Sequence, residues 1–352
     1  MVVTYITTGL PPEIDGVGDY SLQLARALRD RGVDGHFVVP AAKLAPQEVG
    51  FGVRQLKRRD ASDLAGALEA GSSQTVLLHF SGYGYHDTGL CWWLVEGVRR
   101  WKAGCPARRL VTIFHELYAT GLPWRRSFWT ALPQLRIARD LAAISDAALT
   151  TSQTYAEKLR GWRRDLRVTV TPVFSNVGEC TAAAPLRARG PFGAVFGQEG
   201  SRHRVYVTLG NASPSVGEGL RRLGVERLWD IGPPIPGPAA VAGLPIERLG
   251  VLAPPAVSAR LAQARVGLAD YPLHVLTKSG IMAAYFAHGL LAVNMSTVGK
   301  PPDGIQEGRQ FVHPSRLSDP AFEGQAVADS GFQLYRLHGL DGTVRVLLAC
   351  FL

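Results

Sequence analysis

Cysteine is scarce. The 352-residue chain has four, Cys91, Cys105, Cys180 and Cys350. Their scattered spacing excludes a Cys-x-x-Cys redox motif and a cysteine-rich metal site, and it gives no framework for disulfides. Long apolar runs are missing as well. None reaches the roughly 18 residues that a membrane-spanning helix needs. The opening MVVTYITTGLPPE has no basic stretch followed by an apolar one, so no signal peptide is expected. A reduced, cytoplasmic setting is the expectation that follows. No His-x-x-x-His or carboxylate–histidine cluster is present, so no metal site is expected. There is no internal repeat and no low-complexity tract. With 46% apolar and 19% charged residues the chain is globular in class.

Positive charge is in excess, with a formal net charge of +9. Residues 1–178 hold 22 Lys+Arg against 16 Asp+Glu, which gives +6, and the remainder holds 16 against 13, which gives +3. An anionic partner fits: a nucleotide, an acidic lipid surface or a nucleic acid. No nucleic-acid-binding motif is visible and the basic residues are not interleaved with stacking aromatics over a long stretch, so nucleic acid is not expected as a partner.

Eleven short apolar runs alternate with helical patterns: VVTYIT, GHFVVP, TVLLHF, RRLVTIFH, AALTTS, RVTVTPVF, PFGAVFG, RLWDIG, ERLGVL, ARVGLADYP and LLAVNM. Short strands that are apolar throughout, separated by helices, imply parallel sheets covered on both faces. Eleven is many for one sheet, and the length suits about two domains. The expected fold class is therefore α/β, with two Rossmann-like, doubly wound domains. The best boundary is the aperiodic FSNVGECTAAAPLRARGP (174–191), giving domains at 1–178 and 179–335. Residues 336–352 end on GTVRVLLACFL, an apolar tail expected either to pack back or to mark a truncated product.

In such sheets ligands sit beyond the carboxyl ends of strands. The first such place is PPEIDGVGDYSLQLARALRDRG (11–32), where Gly16 and Gly18 open an amphipathic helix. Backbone N–H groups at a helix start attract anions, although Gly-x-Gly also serves as plain tight-turn chemistry. Asp15 is a base candidate or equally a turn residue. His115 with Glu116 follows LVTIF, and His79 ends TVLLHF. A histidine there can exchange a proton near neutral pH, or can simply hold a loop. In TKSGIMAAYFAHGLLAVN (277–294), Lys278, Ser279 and Gly280 combine a cation, a hydroxyl and free N–H groups at a helix start, which suits a diphosphate; a serine N-cap beside a solvated lysine is the plainer alternative. GSRHRVYVTLGN, read as extended, offers Arg202 and Arg204, with Arg202 preferred because it is nearer the strand end. Two basic, tryptophan-bearing segments, CWWLVEGVRRWK and PWRRSFWTALPQLRIARDLA (123–142), suit a membrane interface; ordinary packed helices are the stronger alternative.

Together these segments resemble glycosyltransferases of the GT-B fold, nearest in layout to the family 4 group. The resemblance rests on IDGVGDY, VTIFHEL, AISDAALTTSQTYAEKL, VFSNVG, GVLAPPAVSARLAQARVGLADYP and AHGLLAVN, and it covers most of the chain. It implies two Rossmann-like domains facing a central cleft and transfer of a sugar from a nucleoside-diphosphate sugar to a hydroxyl acceptor, such as a cell-envelope polysaccharide or lipid-linked glycan. The nucleotide sugar is then a co-substrate, with no separate cofactor. The expected setting is cytoplasmic, with membrane association as an option opened by the tryptophan-bearing segments. Gly16, Gly18, Arg202, Lys278, Ser279 and Gly280 would hold the donor diphosphate, and His115 would lie near the transferred sugar. Ser152 and Asn176 would lie near the cleft. The two glutamates usual in that donor site are missing, since their positions fall at Leu276 and Ala284. That absence motivates a catalytically silent GT-B-like binding protein as a rival. A nicotinamide-dependent oxidoreductase is a weaker one, because Ser21 stands where the third fingerprint glycine is required and Asp34 precedes the second strand.

Overall fold

A computed structural model describes residues 1–13, 15–41, 48–119, 124, 126–302 and 304–351. Ile14 of the glycine loop, Pro123 and Arg125 of the tryptophan-bearing segment, Asp303 and Leu352 lie outside the described residues. The chain divides into two compact units, Met1–Pro172 with Thr343–Leu352, and Val173–Gly342. The division falls at Pro172/Val173 where 178/179 was expected. The last stretch from Thr343 belongs to the first unit.

The first unit runs β1 (Val2–Ile6), α1 (Gly16–Arg29), β2 (Asp34–Val39), β3 (Gly52–Gln55), α2 (Ala61–Ala70), β4 (Thr75–Phe80), α3 (Gly82–Tyr85), α4 (Trp92–Ala103), β5 (Arg109–Phe114), α5 (Arg126–Ile144), β6 (Ala147–Thr150), α6 (Gln153–Trp162) and β7 (Arg167–Val170). All its strand pairs are parallel, in the order β3-β2-β1-β4-β5-β6-β7. The order reverses between β1 and β4, so the crevice beyond their carboxyl ends is the switch point of a doubly wound sheet. Helix α1 illustrates how sequence sets the packing. Leu22, Leu24, Ala25 and Leu28 form its buried face, Asp15 caps it by accepting from the Val17 N–H, and Arg26 and Arg29 sit in its last turn. Each such buried leucine contributes about 1.5–3 kcal/mol relative to exposure.

The second unit runs β8 (Phe192–Phe196), α7 (Glu199–Gly210), α8 (Pro214–Arg222), β9 (Arg227–Ile231), β10 (Ala240–Val241), β11 (Leu244–Gly250), α9 (Pro254–Gln263), β12 (Val266–Ala269), a 3-10 helix (Leu273–Lys278), α10 (Gly280–Ala287), β13 (Leu291–Asn294) and α11 (Gln325–Arg336). Helix α12 (Leu340–Phe351) continues from it into the first unit. The sheet order is β10-β11-β9-β8-β12-β13, parallel except for the β10–β11 pair, and the switch point lies between β8 and β12. Buried Val195, Val266, Leu268, Leu291 and Val293 supply the sheet's share of the core.

All eleven apolar runs are strands. Residues Glu199–Gly210, read above as extended, are helical: β-branched Val205, Val207 and Thr208 lower helix propensity, but Val205, Tyr206 and Leu209 bury one face as α7 packs on β12.

Candidate functional sites at the two switch points

In the first unit, the strand register brings two histidines together. His79 pairs with Ile113 across β4–β5. Side chains alternate along a strand, so His115, two residues beyond Ile113, projects to the same side as His79. The His115 N–H donates to the Phe80 carbonyl at 3.0 Å. The two rings stack at 5.5 Å between centroids, and His79 Nδ1 lies 3.2 Å from His115 Nε2. Tyr20 of α1 presents its ring edge to His115 at 5.1 Å and to His79 at 5.9 Å. His79 is fully buried, and burial, then the neighbouring His115, holds it well below the usual imidazole range. Burial thus favours its neutral form. His79 Nε2 has no hydrogen-bond partner. The Glu116 carboxylate accepts from Ser81 Oγ at 3.3 Å.

Asp15 is engaged as a turn residue. It accepts from the Val17 N–H at 3.1 Å and from the Thr8 hydroxyl. Gly18 is required by packing, because a Cβ there would overlap the Gly9 carbonyl oxygen, whereas Gly16 is exposed and has open space where a side chain would stand. Ser152 is the N-cap of α6 and accepts from the Tyr155 N–H. One residue escaped the sequence reading. Asp19, one turn into α1, is half-buried, and desolvation, then the Asp15 charge, pushes its carboxyl up to about 6. Helix periodicity marks it as ordinary first-turn acid, and only the fold shows its burial.

The sign of that shift makes a prediction. The folded state keeps the Asp19 proton in a range where the unfolded chain, with its carboxyl near 3.8, has released it. Stability from this group is therefore present below 3.8 and declines as pH rises toward about 6. Asp19→Asn should lack that decline, which urea midpoints of both proteins at about pH 4 and about pH 7 will read.

In the second unit, the loops after β8 and β12 flank the switch point. Helix α7 begins with no side-chain cap on its N–H groups. Gly197 ahead of it has φ +129°, a conformation that favours glycine. Helix α10 begins at Gly280, where a side chain would meet open space. Ser279 is buried and caps α10 by accepting from the Met282 N–H at 3.2 Å. Lys278 precedes it, half-buried, at the end of the 3-10 helix. The Thr277 hydroxyl beside it is buried without a hydrogen-bond partner. Asn176 is half-buried in the segment that opens this unit.

Arg202 requires a correction. Its side chain is 1% exposed, its Nε donates to the Gly197 carbonyl at 2.9 Å, and its two terminal nitrogens donate to Asp230 and to the Pro233 carbonyl. Tyr206 completes the group by donating to Asp230 at 2.8 Å. The guanidinium is thus consumed in tying the loops after β8 and β9 together. Arg204, one helical step on, is exposed and points along the β12 loop, its Nη2 lying 3.4 Å from the Asp270 carbonyl. Helical geometry, and not distance to the strand end, sets where the two arginines lie.

Among the described residues no group of three or more His, Cys, Asp or Glu side chains is placed to hold a metal, and no helix is long and apolar enough to cross a membrane.

The sequence matches no protein-family model and no curated protein. Solved structures do match, over nearly the whole chain. One is a proposed UDP-N-acetylglucosamine 2-epimerase from Listeria monocytogenes, 13% identical with a TM-score of 0.64, over 99% of this chain and 95% of that one. Another is an alpha-glucosyltransferase in complex with UDP-glucose and DNA containing an abasic site, 11% identical with a TM-score of 0.61, over 99% and 98%. A third is a UDP-N-acetylglucosamine 2-epimerase, 12% identical with a TM-score of 0.57, over 99% and 94%. The fold is of the GT-B type. At these identities the likeness concerns the fold, and both doubly wound units share in it.

Proposed function

We propose that this GT-B chain is an enzyme acting on a nucleoside-diphosphate sugar, with transfer of the sugar to a hydroxyl acceptor as its reaction. The observation that carries the reading is the second switch point. Two helix starts, α7 and α10, present N–H groups beyond β8 and β12, and Lys278, Gly280 and Arg204 belong to the same loops and helices. A diphosphate leaving group gains charge as the glycosidic bond breaks, and preorganised N–H groups and cations stabilise that charge. The named structures support the nucleotide, since one holds UDP-glucose. In the first unit, His115 is assigned proton handling at a hydroxyl, with His79 fixing its ring.

Calorimetry with UDP, UDP-glucose and UDP-N-acetylglucosamine tests the reading. Lys278→Ala should weaken UDP binding by roughly 10–100-fold, the value of one charge-assisted hydrogen bond. Its thermal midpoint should stay near wild type. Binding of NADH in place of UDP would sink the proposal in favour of an oxidoreductase, and UDP-sugar binding without turnover would favour a silent binding protein.

A second reading is favoured by one observation. The first unit gathers His79, His115, Glu116 and Asp19 around its own switch point, a set rich in acid–base groups. Such groups suit proton removal at a sugar carbon, the chemistry of a sugar-nucleotide epimerase, and two of the structures named above are described as such. Incubation with UDP-N-acetylglucosamine alone separates the readings: a 2-epimer formed without acceptor points to the second, and a product only with acceptor to the first.

A further inference from the structure

Exposed aromatic residues are confined to one region of this molecule. Among the described residues five large aromatics are exposed: Tyr83, Trp92, Trp124, Phe128 and Trp129. All lie in the first unit, between residues 83 and 129. Tyr83 is on α3 and Trp92 starts α4, both of which follow β4; Trp124 stands two residues ahead of α5, and Phe128 and Trp129 lie in its first turn, after β5. Strands β4 and β5 are parallel neighbours, and α4 packs on α5. The topology therefore gathers all five at the carboxyl end of the sheet. Trp124 is 77% exposed, Trp129 73% and Leu132, one turn further along α5, 75%. At its start α5 leaves Phe128, Trp129 and Leu132 in solvent. The buried side of α5 is carried by Gln134, Ile137, Ala138 and Leu141 instead.

Basic residues outnumber acidic ones near these rings. From Leu117 to Arg139 the sequence contains four arginines and no aspartate or glutamate. Arg136 and Arg139 are exposed and continue the line of Trp129 and Leu132 along α5 at helical spacing. Asp140 is half-buried and sits 3.1 Å from Arg136, Glu96 of α4 pairs with Arg99 and Arg100, and Asp87, in the loop between α3 and α4, is exposed.

We propose that the aromatic residues of α3, α4 and α5, with Arg136 and Arg139, form a docking surface for an anionic lipid bilayer. Tryptophan places an apolar ring and a polar N–H at headgroup depth, leucine adds apolar burial, and guanidinium groups meet lipid phosphates. No helix crosses the bilayer in this arrangement. The protein lies on the surface, held by a few side chains, so attachment is reversible and weakened by salt. This inference is independent of the sugar-nucleotide reading and survives its failure.

The test uses the full chain and sedimentation with vesicles of phosphatidylglycerol and phosphatidylcholine, against vesicles of phosphatidylcholine alone. The wild type is expected to partition onto the anionic vesicles and to be released as salt is raised. Trp129→Ser/Leu132→Ser is expected to reduce partitioning about tenfold, and Arg136→Gln/Arg139→Gln to reduce it for anionic vesicles chiefly. All four side chains are exposed, so thermal midpoints should be unchanged; should the first variant misfold, Trp124→Ser/Phe128→Ser reports on the same surface. Absence of binding to anionic vesicles at low salt overturns the proposal. So does binding that the aromatic variants leave undiminished. A wild-type dimer that the Trp129→Ser/Leu132→Ser change converts to monomer, with no vesicle binding, would assign the surface to a second copy of the chain instead.

Discussion

Arg202→Ala is expected to destabilise the second unit by about 3–5 kcal/mol, the usual cost of removing one partner from a buried ion pair. The reason lies in what remains. Asp230 is 2% exposed, and without the guanidinium its buried carboxylate would be left with the Tyr206 hydroxyl as donor and no neutralising charge beside it. The carbonyls of Gly197 and Pro233 would lose their donor at the same time. Arg202→Met with Asp230→Asn, which removes both charges and keeps similar volumes, should recover a substantial part of the loss. Denaturant midpoints of the single and double variants measure this directly. If Arg202→Ala instead keeps wild-type stability and loses UDP binding, the arginine serves the ligand after all and the buried pairing is incidental.

The second large effect is expected at His115. His115→Gln keeps an amide able to bond with His79 but cannot carry a proton between solvent and substrate. Turnover on whichever sugar nucleotide the wild type accepts should fall by about 10²–10⁴-fold, the usual contribution of general acid–base catalysis. UDP affinity, assigned to the second unit, should be unchanged. The fold should hold as well, because glutamine is of similar size and keeps a polar group beside His79. Turnover within about twofold of wild type would show that the histidine pair merely fastens the loop after β5.

Architecture was far more legible than site chemistry. Most of the eleven strands found by sequence are buried on both faces, where a run of Val, Ile, Leu and Phe is unavoidable; β11 and the edge strand β7 are partly exposed. The two overlooked are β3 and β10. β3, Gly-Val-Arg-Gln, lies at a sheet edge with alternate residues exposed, and β10 has only Ala240 and Val241. Neither carries an apolar run. Lys278, Ser279 and Gly280 were readable because helix starts are local events. Arg202 was misread because its partner stands 28 residues away on β9, and nothing short-range in the chain reports that meeting. His79 and His115 were each visible as strand-end histidines. Their mutual contact across 36 residues needed the register of β4 against β5.

The passage of α12 back to the first unit has a consequence for biosynthesis. Val173–Gly342 is one uninterrupted stretch, whereas its neighbour is assembled from two pieces separated by that whole stretch. On the ribosome the intervening domain can therefore close while the earlier one still awaits its last helix. Thr343, which meets Thr171 at 3.4 Å and hydrogen-bonds the Tyr20 side chain, emerges only after all of Val173–Gly342. The ring that flanks the paired histidines thus gains this support only once the intervening domain has been synthesised.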